Sequence, residues 1–557
     1  MEFWKNKEKI FQKIKILYPK EAKQILLEIE RILHRQRILK KYFKKKSIFD
    51  EKDIFLITYP DSFFIKNKKP LNALYYFLDK YFKDEFSAIH ILPFYPFSSD
   101  RGFSVVNFYQ VKKEFGSWSH IEKIANRYRL MSDLVLNHVS TKSKWFKGFL
   151  SGKKKYKNYF ISFLEEETKN DDFKKVFRPR ATSLLTPFKT KDGLRYVWTT
   201  FSVGDYTDQV DLNYKNPEVF LEMIKILLFL FKKGVRIIRL DAIAYIWKEL
   251  GTSCLHLPQV HVIVQIMRLI IESIYPDGVI ITETNVPHKE NISYFGDGKN
   301  EAHMVYNFAL PPLVLHAFIT NNSSFLTYWA LSTDWPKGDN FFYNFLDSHD
   351  GIGVLGAKEI LSENEFKKIF IKIEKGGGRL STRSLPNGGR AVYEINTTWW
   401  SALFEKDLSF ELNLKKFITS RAISFALRGV PAVYYLSLFG RENDLKTYKK
   451  TRINRDLNRE NLSVREIENW INNKKTKEAV VFKALIDLIR KRKSYIAFHP
   501  QAEQKILPLS DKVFSILRWK DGQKILALHN VTKDYVRIKY QNKKYQLGPY
   551  DFLWQPI

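Results

Sequence analysis

The stretch GVRIIRLDAIAY, residues 234–245, decides how this chain folds. Its apolar residues run almost without interruption, as in a strand that a parallel sheet buries on both faces. Arg239 and Asp241 stand at its carboxyl end. Because residues two apart on a strand point to the same face, both side chains enter one space. Ionised groups are costly there unless they are paired or used, so we expect a functional site at this position.

Seven other β-rich runs alternate with helical stretches along the chain. They are DIFLITYP (53–60), AIHILPFYP (88–96), LMSDLVLNH (130–138), GVIITETN (278–285), HMVYNFAL (303–310), FFYNFLDSH (341–349) and VPAVYYLSLF (430–439). Eight strands alternating with helices predict an α/β fold, with parallel pairing and closure into a (β/α)8 TIM barrel. An open doubly wound sheet is the alternative, but no glycine-rich phosphate fingerprint follows the first strand.

Two long gaps and a change of pattern predict the domain organisation. Residues 139–200, after the third strand, and 351–400, after the seventh, are predicted to be inserted regions, because such long loops usually carry function or structure of their own. The remaining divisions are a basic helical N-terminal extension (1–50), the barrel itself (51–138 and 201–497) and a C-terminal antiparallel β-domain (498–557).

The composition predicts a globular protein of the cytoplasm. The chain has 557 residues, 45% of them hydrophobic, which exceeds what disordered chains carry. Its start has charges throughout and lacks the apolar core of a signal peptide, and no apolar run is long enough to span a membrane. The single cysteine, Cys254, excludes an intramolecular disulfide framework and fits a reducing compartment.

The net charge of +32 favours a lysine-rich surface over a nucleic-acid or membrane partner. Basic residues are spread along the whole chain, and only HRQRILKKYFKKK (34–46) is a dense cluster. Nucleic-acid binding by this cluster is the alternative interpretation. We expect no nucleic-acid or membrane partner, and a general attraction for anionic substrates.

Polar residues recur where the predicted strands end. They are Asp133 and His138 on the third strand, Arg239 and Asp241 on the fourth, Glu283 on the fifth, and Asp347, His349 and Asp350 on the seventh. In a barrel these positions converge on one mouth. Three carboxylates (Asp241, Glu283 and Asp350) with an arginine and two histidines suit glycosyl transfer, where one carboxylate attacks the anomeric carbon and another with a raised pKa protonates the leaving oxygen.

Other chemistries have weaker support in the sequence. A zinc or manganese site could use Asp133, His138 and His349, but there is no HExxH motif or close histidine pair. Serine nucleophile catalysis lacks a GxSxG turn. Cys254 is interpreted as a small buried residue. We therefore predict no metal and no cofactor.

Four motifs resemble the conserved regions of the alpha-amylase superfamily, glycoside hydrolase family 13. They are DLVLNH (133–138), RLDAIAY (239–245), ITETN (281–285) and FLDSHDGIG (345–353), and they occur in the family's order. The resemblance implies that Asp241 is the nucleophile, Glu283 the acid/base and Asp350 the transition-state stabiliser. It also implies that His138, Arg239 and His349 bind the glucose ring, and Tyr245 is a further predicted substrate-binding residue.

Longer segments resemble the sucrose phosphorylase branch of that family over most of residues 51–557. Among them, ILPFYPFSSDRGFSV (91–105) implies that Asp100 and Phe103 line the glucose subsite. FRPRATSLLTPF (177–188) implies that Arg180 lies near the acceptor and phosphate position. In RDLNREN (455–461), Arg459 is the implied site arginine, with Arg455 as the alternative.

Within the branch, GTSCLHLPQ (251–259) and ETNVPHKENISYFGDG (283–298) are more similar to glucosylglycerate phosphorylases than to sucrose phosphorylases. The long N-terminal extension and the bulky pair Ile246–Trp247 also argue against sucrose as the substrate. The implied activity is retaining phosphorolysis of an α-glucoside by inorganic phosphate, the co-substrate, to give α-glucose 1-phosphate. Cationic donors, with Arg180 as the candidate, would favour phosphate over water.

Several alternatives remain open. Sucrose or glucosylglycerol phosphorolysis, hydrolysis and transglucosylation could all use the same three acids. A non-enzymatic sugar-binding homologue is disfavoured because all three acids are present. The partners expected are an α-glucoside and phosphate, and a homodimer is left open.

Overall fold

The protein folds around a closed barrel of eight parallel strands in the computed structural model, which describes residues 6–35, 48–202, 207–385 and 389–557. The strands are β1 (Phe55–Thr58), β2 (Ala88–Ile91), β3 (Arg129–Val135), β4 (Val235–Asp241), β5 (Val279–Thr282), β6 (Met304–Tyr306), β7 (Phe341–Asn344) and β8 (Val430–Tyr434). Each pairs with its neighbours in chain order, and β8 closes on β1. The predicted (β/α)8 barrel is therefore confirmed, with every strand where its apolar run lies.

The register between β3 and β4 brings two charged residues of the predicted site together. Arg239 on β4 lies beside Asp133 on β3, and Asp241 lies beside Val135. Because side chains of paired residues share a face of the sheet, strand pairing alone makes Arg239 and Asp133 neighbours.

Helices connect the strands and cover the outside of the barrel. The main ones are Pro70–Tyr81, Trp118–Ala125, Pro217–Lys232, Pro258–Ile274, Leu310–Thr320, Ser324–Ser332, Phe410–Ala426, Leu445–Thr451, Val464–Asn472 and Lys477–Lys493. Proline stands in the first turn of four of them, where its missing N–H costs no hydrogen bond. Except for Leu445–Thr451, which has no buried residue, these helices have buried faces that join the barrel interior in one continuous apolar core.

Two insertions follow β3 and β7, as predicted. The first contains the helix Lys144–Leu150 and a three-stranded antiparallel sheet, Ser162–Phe163, Leu185–Thr190 and Gly193–Trp198. The second contains the helix Glu363–Lys375 and a sheet of Ile352–Gly353, Arg379–Ser384 and Arg390–Asn396. Both follow strand carboxyl ends, the face on which barrels build their sites.

The C-terminal region is an antiparallel sheet. Its four strands are Glu503–Ile506, Val513–Lys520, Gln523–Asn530 and Phe552–Pro556, and a hairpin of Val536–Tyr540 and Lys543–Leu547 accompanies them. This agrees with the alternating pattern of the sequence. The residue boundaries between domains stay a prediction.

Two helices, Lys7–Leu17 and Ala22–Arg35, occupy the described part of the N-terminal extension. They pack on the barrel helices Pro258–Ile274 and Pro217–Lys232. Most of the basic cluster 34–46 lies outside the described residues, so its nucleic-acid interpretation is untested. Within the described ranges, no helix has both the length and the apolar character that crossing a bilayer requires.

Packing of the first helix predicts a stability difference between two neighbouring isoleucines. Ile14 is 0% exposed and Ile16 is 64% exposed. Ile14→Ala should lower the free energy of unfolding by about 2–5 kcal/mol, because it removes buried methyl groups and leaves a cavity. Ile16→Ala, the matched control, should change it by less than about 0.5 kcal/mol. Urea unfolding measures both, and equal losses would contradict the packing of this helix on the barrel.

Candidate active site

The three predicted acids converge on one cavity at the carboxyl ends of the strands. Asp241 ends β4, Glu283 directly follows β5, and Asp350 lies in the loop after β7. The cavity is lined by Asp100, Phe103, His138, Arg180, Phe201, Gln209, Asp241, Ala242, Tyr245, Glu283, Thr284, Asn285, Phe308, Ser348, His349, Asp350, Gly351, Gly353, Tyr393, Glu394 and Arg455. Of the predicted site residues, all but Arg239 and Arg459 line it, and those two lie directly behind its acids.

Arg239 holds the floor of the cavity together. Its guanidinium is 1% exposed, and Nη1 donates to Asp241 Oδ1 and Asp133 Oδ1, each at 2.5 Å. Nη2 lies 3.5 Å from Glu283 Oε2. The charges at the end of β4 are therefore paired, since three carboxylates from neighbouring strands share one buried cation.

Asp133 is a supporting residue of this floor. Its second oxygen, Oδ2, lies 2.8 Å from His90 Nε2, so Arg239 and His90 together engage both oxygens. A carboxylate used in this way is not free to bind a metal ion. The zinc or manganese interpretation of Asp133, His138 and His349 accordingly has no support, and the described residues contain no metal-binding group of His, Cys, Asp and Glu.

Asp241 and Glu283 share the charge of Arg239 unequally. Burial raises the pKa of both carboxyls, against the opposing charge of Arg239. Arg239 contacts Asp241 at 2.5 Å but Glu283 at 3.5 Å, so the anion is better stabilised on Asp241. Arg239 therefore stabilises a negative charge on Asp241 more strongly than one on Glu283.

Asp350 stays ionised for the opposite reason. Its Oδ1 lies 3.0 Å from Arg455 Nη1 and 3.9 Å from Arg459 Nη2, and its Oδ2 lies 3.2 Å from His349 Nε2. Although burial opposes it, Arg455 and the other nearby cations hold the pKa of Asp350 well below its usual range. The site thus keeps a fixed negative charge on Asp350, in the same cavity as Asp241 and Glu283.

Arg459 and Arg455 both belong to the site, at different depths. Arg459 is buried and donates through Nε to the backbone oxygen of His349 at 2.9 Å, with Nη1 3.4 Å from Asp100. Arg455 lines the cavity, contacts Asp350 and grips both oxygens of Glu394. Both candidates therefore belong to the site. Arg455 lines the cavity, and Arg459 lies behind it and holds the backbone of His349.

Aromatic rings form one wall of the cavity. Phe103 stacks on the His349 imidazole with ring centroids 4.8 Å apart and an interplanar angle of 3°. Phe201 packs against His138 and Tyr245, with centroid distances of 5.3 and 5.1 Å. Burial lowers the pKa of His138 to about 4 and that of His349 to about 3, so both rings are neutral near pH 7. A pocket with flat apolar faces and a few polar groups suits a sugar ring.

A tight turn presents Asp100 and Phe103. Asp100 and Arg101 have φ values of +49° and +46°, in the left-handed region. Gly102 follows at φ +117°, and a Cβ there would lie 2.6 Å from the Pro93 backbone oxygen. Only glycine fits this position, which sets the direction in which Phe103 enters the cavity.

Asp208 anchors that turn from the far side of the first insertion. Its Oδ2 accepts hydrogen bonds from the hydroxyls of Ser98, Ser99 and Ser104, and its Oδ1 accepts one from Thr141 at 2.7 Å. Burial opposes ionisation, but these donors lower the pKa of the carboxyl. One carboxylate thus fixes the turn to the strand that carries Gln209.

Sequence reasoning missed part of this cavity. Gln209, Tyr393 and Glu394 line the cavity and Asp208 supports its turn, but none of them was predicted, because none directly follows a barrel strand. The serine-rich stretch SSDRGFS (98–104) was the available signal for a carboxylate partner. Nothing in the sequence indicated that Glu394 would meet Arg455.

Comparisons with known proteins agree with this architecture. The family "Alpha amylase, catalytic domain" matches residues 59–357. The chain is 45% identical to a glucosylglycerate phosphorylase of Spirochaeta thermophila (87% of this chain and 81% of that protein) and 42% identical to one of Allomeiothermus silvanus (94% and 93%). The crystal structure of sucrose 6F-phosphate phosphorylase from Thermoanaerobacter thermosaccharolyticum superposes with a TM-score of 0.75 at 28% identity, covering 89% of this chain and 98% of that one.

The anchoring role of Asp208 predicts a loss of activity without unfolding. Asp208→Asn keeps the size of the side chain but removes the negative charge that accepts hydrogen bonds from at least four hydroxyl groups. The turn that carries Asp100 and Phe103 should therefore shift. A displacement of about 1 Å costs on the order of 100-fold in rate, and we expect kcat/KM to fall by about that factor. Circular dichroism should remain that of the wild type. Asp192→Asn, at an exposed turn of the same insertion, is the control, and equal activity of the two variants would contradict the anchoring role.

Proposed function

The chain belongs to the alpha-amylase catalytic-domain family, and from that premise we propose that it is a retaining phosphorylase that cleaves α-glucosylglycerate with inorganic phosphate. Its products would be glycerate and α-glucose 1-phosphate. The observation that carries the proposal is the cavity in which Asp241 and Glu283 share Arg239, with Arg239 closer to Asp241. We accordingly take Asp241 as the anion and Glu283 as the proton donor. Relatives named as glucosylglycerate phosphorylases, at 41–45% identity over most of the chain, support this choice of substrate.

The first step would break the glycosidic bond. Asp241 attacks the anomeric carbon and forms a β-glucosyl ester, while the proton of Glu283 passes to the departing glycerate oxygen. Arg239 stabilises the carboxylate of Asp241 until the attack. The ionised Asp350 lies where positive charge develops on the sugar ring, and it would stabilise the oxocarbenium-like transition state.

The second step would reverse the first with a different acceptor. A phosphate oxygen attacks the anomeric carbon, the ester bond to Asp241 breaks, and Glu283, now a carboxylate, takes the proton of the incoming phosphate. Two inversions give net retention, so the product is α-glucose 1-phosphate. The reaction needs phosphate as a co-substrate and no further cofactor.

Arg180 is the proposed cation for phosphate. It lines the cavity, its Nη1 lies 3.9 Å from Glu394 Oε1, and its guanidinium lies over the Phe201 ring at 5.8 Å. Its Nε is buried and has no hydrogen-bond partner among the described residues. A guanidinium with a free donor edge can bind phosphate in a bidentate manner, which would favour phosphate over water.

A phosphorolysis screen tests the proposed function directly. Purified protein is incubated with phosphate and each of α-glucosylglycerate, glucosylglycerol, sucrose and sucrose 6′-phosphate, and glucose 1-phosphate is measured. We expect the highest rate with glucosylglycerate and no turnover by Asp241→Asn. Release of free glucose that does not depend on phosphate would contradict phosphorolysis and indicate a hydrolase.

The pH dependence of the first step tests the role of Glu283. Burial raises the pKa of this carboxyl, so it should stay protonated to a higher pH than an ordinary glutamate, and kcat/KM should fall as the pH rises through that pKa. Glu283→Gln should lower kcat for glucosylglycerate by about 10²- to 10⁴-fold and abolish the basic limb of the profile.

A glucosyl donor with an activated leaving group provides the control for that experiment. α-Glucosyl fluoride needs little protonation, so Glu283→Gln should lose much less activity with it. Glu290→Gln, in the same connection after β5, should behave as the wild type in both assays. Equal losses on both donors would reject Glu283 as the acid.

A further inference from the structure

Arg383 is a buried arginine behind the cavity wall that Tyr393 forms. It lies on the strand Arg379–Ser384 and pairs with Ala391, two residues before the cavity-lining Tyr393. Arg383 is only 7% exposed. The second insertion therefore brings a cation next to the cavity wall formed by Tyr393.

The contacts of Arg383 tie it to the acceptor side of the cavity. Its guanidinium lies over the Phe177 ring at 4.8 Å, and that ring packs against Tyr245 with centroids 6.3 Å apart. The backbone N–H of Ser384 donates to the backbone oxygen of Arg180 at 3.4 Å. Arg383 is therefore held between the two insertions, beside Arg180.

The charge of Arg383 is not compensated within the protein. Arg239, Arg455 and Arg459 each contact at least two carboxylates. In contrast, no carboxylate lies within ion-pairing distance of Arg383 in the described ranges. Its Nε is also buried without a hydrogen-bond partner there, as is the Nε of Arg239. A buried cation is costly unless an anion meets it, so this arrangement is prepared for an anionic ligand.

We propose that Arg383 binds the carboxylate of the aglycone and thereby sets the preference for glycerate over neutral acceptors. The inference rests on the proposed phosphorolysis and adds the residue that selects its substrate. Phosphate must reach the anomeric carbon beside Asp241, where Arg180 lines the cavity, whereas the glycerate carboxylate lies on the part of the substrate that points away from the glucose ring. The two arginines thus serve the two anions separately.

The synthetic direction of the reaction tests this assignment. Glucosyl transfer from α-glucose 1-phosphate is measured to glycerate and to glycerol, which has the same carbon skeleton without the carboxylate. Arg383→Met, which keeps much of the side-chain volume, should lower kcat/KM for glycerate by about 10- to 100-fold, the loss expected for a charge-assisted hydrogen bond. The glycerate-to-glycerol preference should fall by the same factor, and Arg383→Lys should restore part of it.

Two further measurements separate recognition from folding. Arg390→Met removes an exposed arginine from the strand paired with that of Arg383 and should keep the wild-type preference. Hydrolysis of α-glucosyl fluoride reports on the glucose subsite and needs no anionic acceptor, so Arg383→Met should lose far less in this assay than with glycerate.

Each other outcome overturns the assignment. Equal losses with glycerate, glycerol and α-glucosyl fluoride would show that Arg383 has only a structural role. A rise in KM for phosphate with an unchanged preference between glycerate and glycerol would show that Arg383 serves phosphate instead. Absence of glucose 1-phosphate from glucosylglycerate with the wild-type protein would reject the proposed function itself, which is a different result from a change in the variant alone.

Discussion

The sharing of one buried guanidinium by three carboxylates is the constraint on which the site depends. Arg239 cannot lose its charge, and removing it would leave Asp133, Asp241 and Glu283 as uncompensated buried acids. The closed barrel supplies the geometry, because the register of β3 and β4 places two of these groups side by side. Fold and chemistry are therefore linked through a single side chain.

The three acids differ in their electrostatic surroundings. Asp241 and Glu283 share one guanidinium, that of Arg239, and burial raises the pKa of both carboxyls. Asp350 faces Arg455 and Arg459, and nearby cations hold its pKa below the usual range. The proposed division into a nucleophile, an acid and a permanent anion follows from which arginines lie within reach.

The two insertions carry the cations that are proposed to bind phosphate and the aglycone. The barrel strands carry the reacting acids, whereas the cations proposed for phosphate and for the aglycone, Arg180 and Arg383, come from the two insertions. A backbone hydrogen bond joins these insertions beside the cavity. Substrate choice can therefore change through the insertions while the acids stay in place, which is how one barrel supports many related activities.

The fold and the acids were predictable from the sequence alone, because each depends on local patterns. Apolar runs of strand length mark β1 to β8, and Asp241, Glu283 and Asp350 follow such runs directly, so the topology of a barrel brings them together. Arg239 was predictable for the same reason, since a charge in a buried strand must have a partner.

Contacts between distant segments were decided only by the tertiary structure. The residues around Asp208 in the sequence do not indicate that it accepts hydrogen bonds from distant serines. The sequence also does not distinguish Arg455 from Arg459, which differ in their burial and in their contacts. Arg383 is one basic residue among many in a chain of net charge +32, and only the packing shows that it is buried and unpaired. Local sequence determines which elements form and which groups end them, whereas burial and pairing depend on segments that meet only after folding.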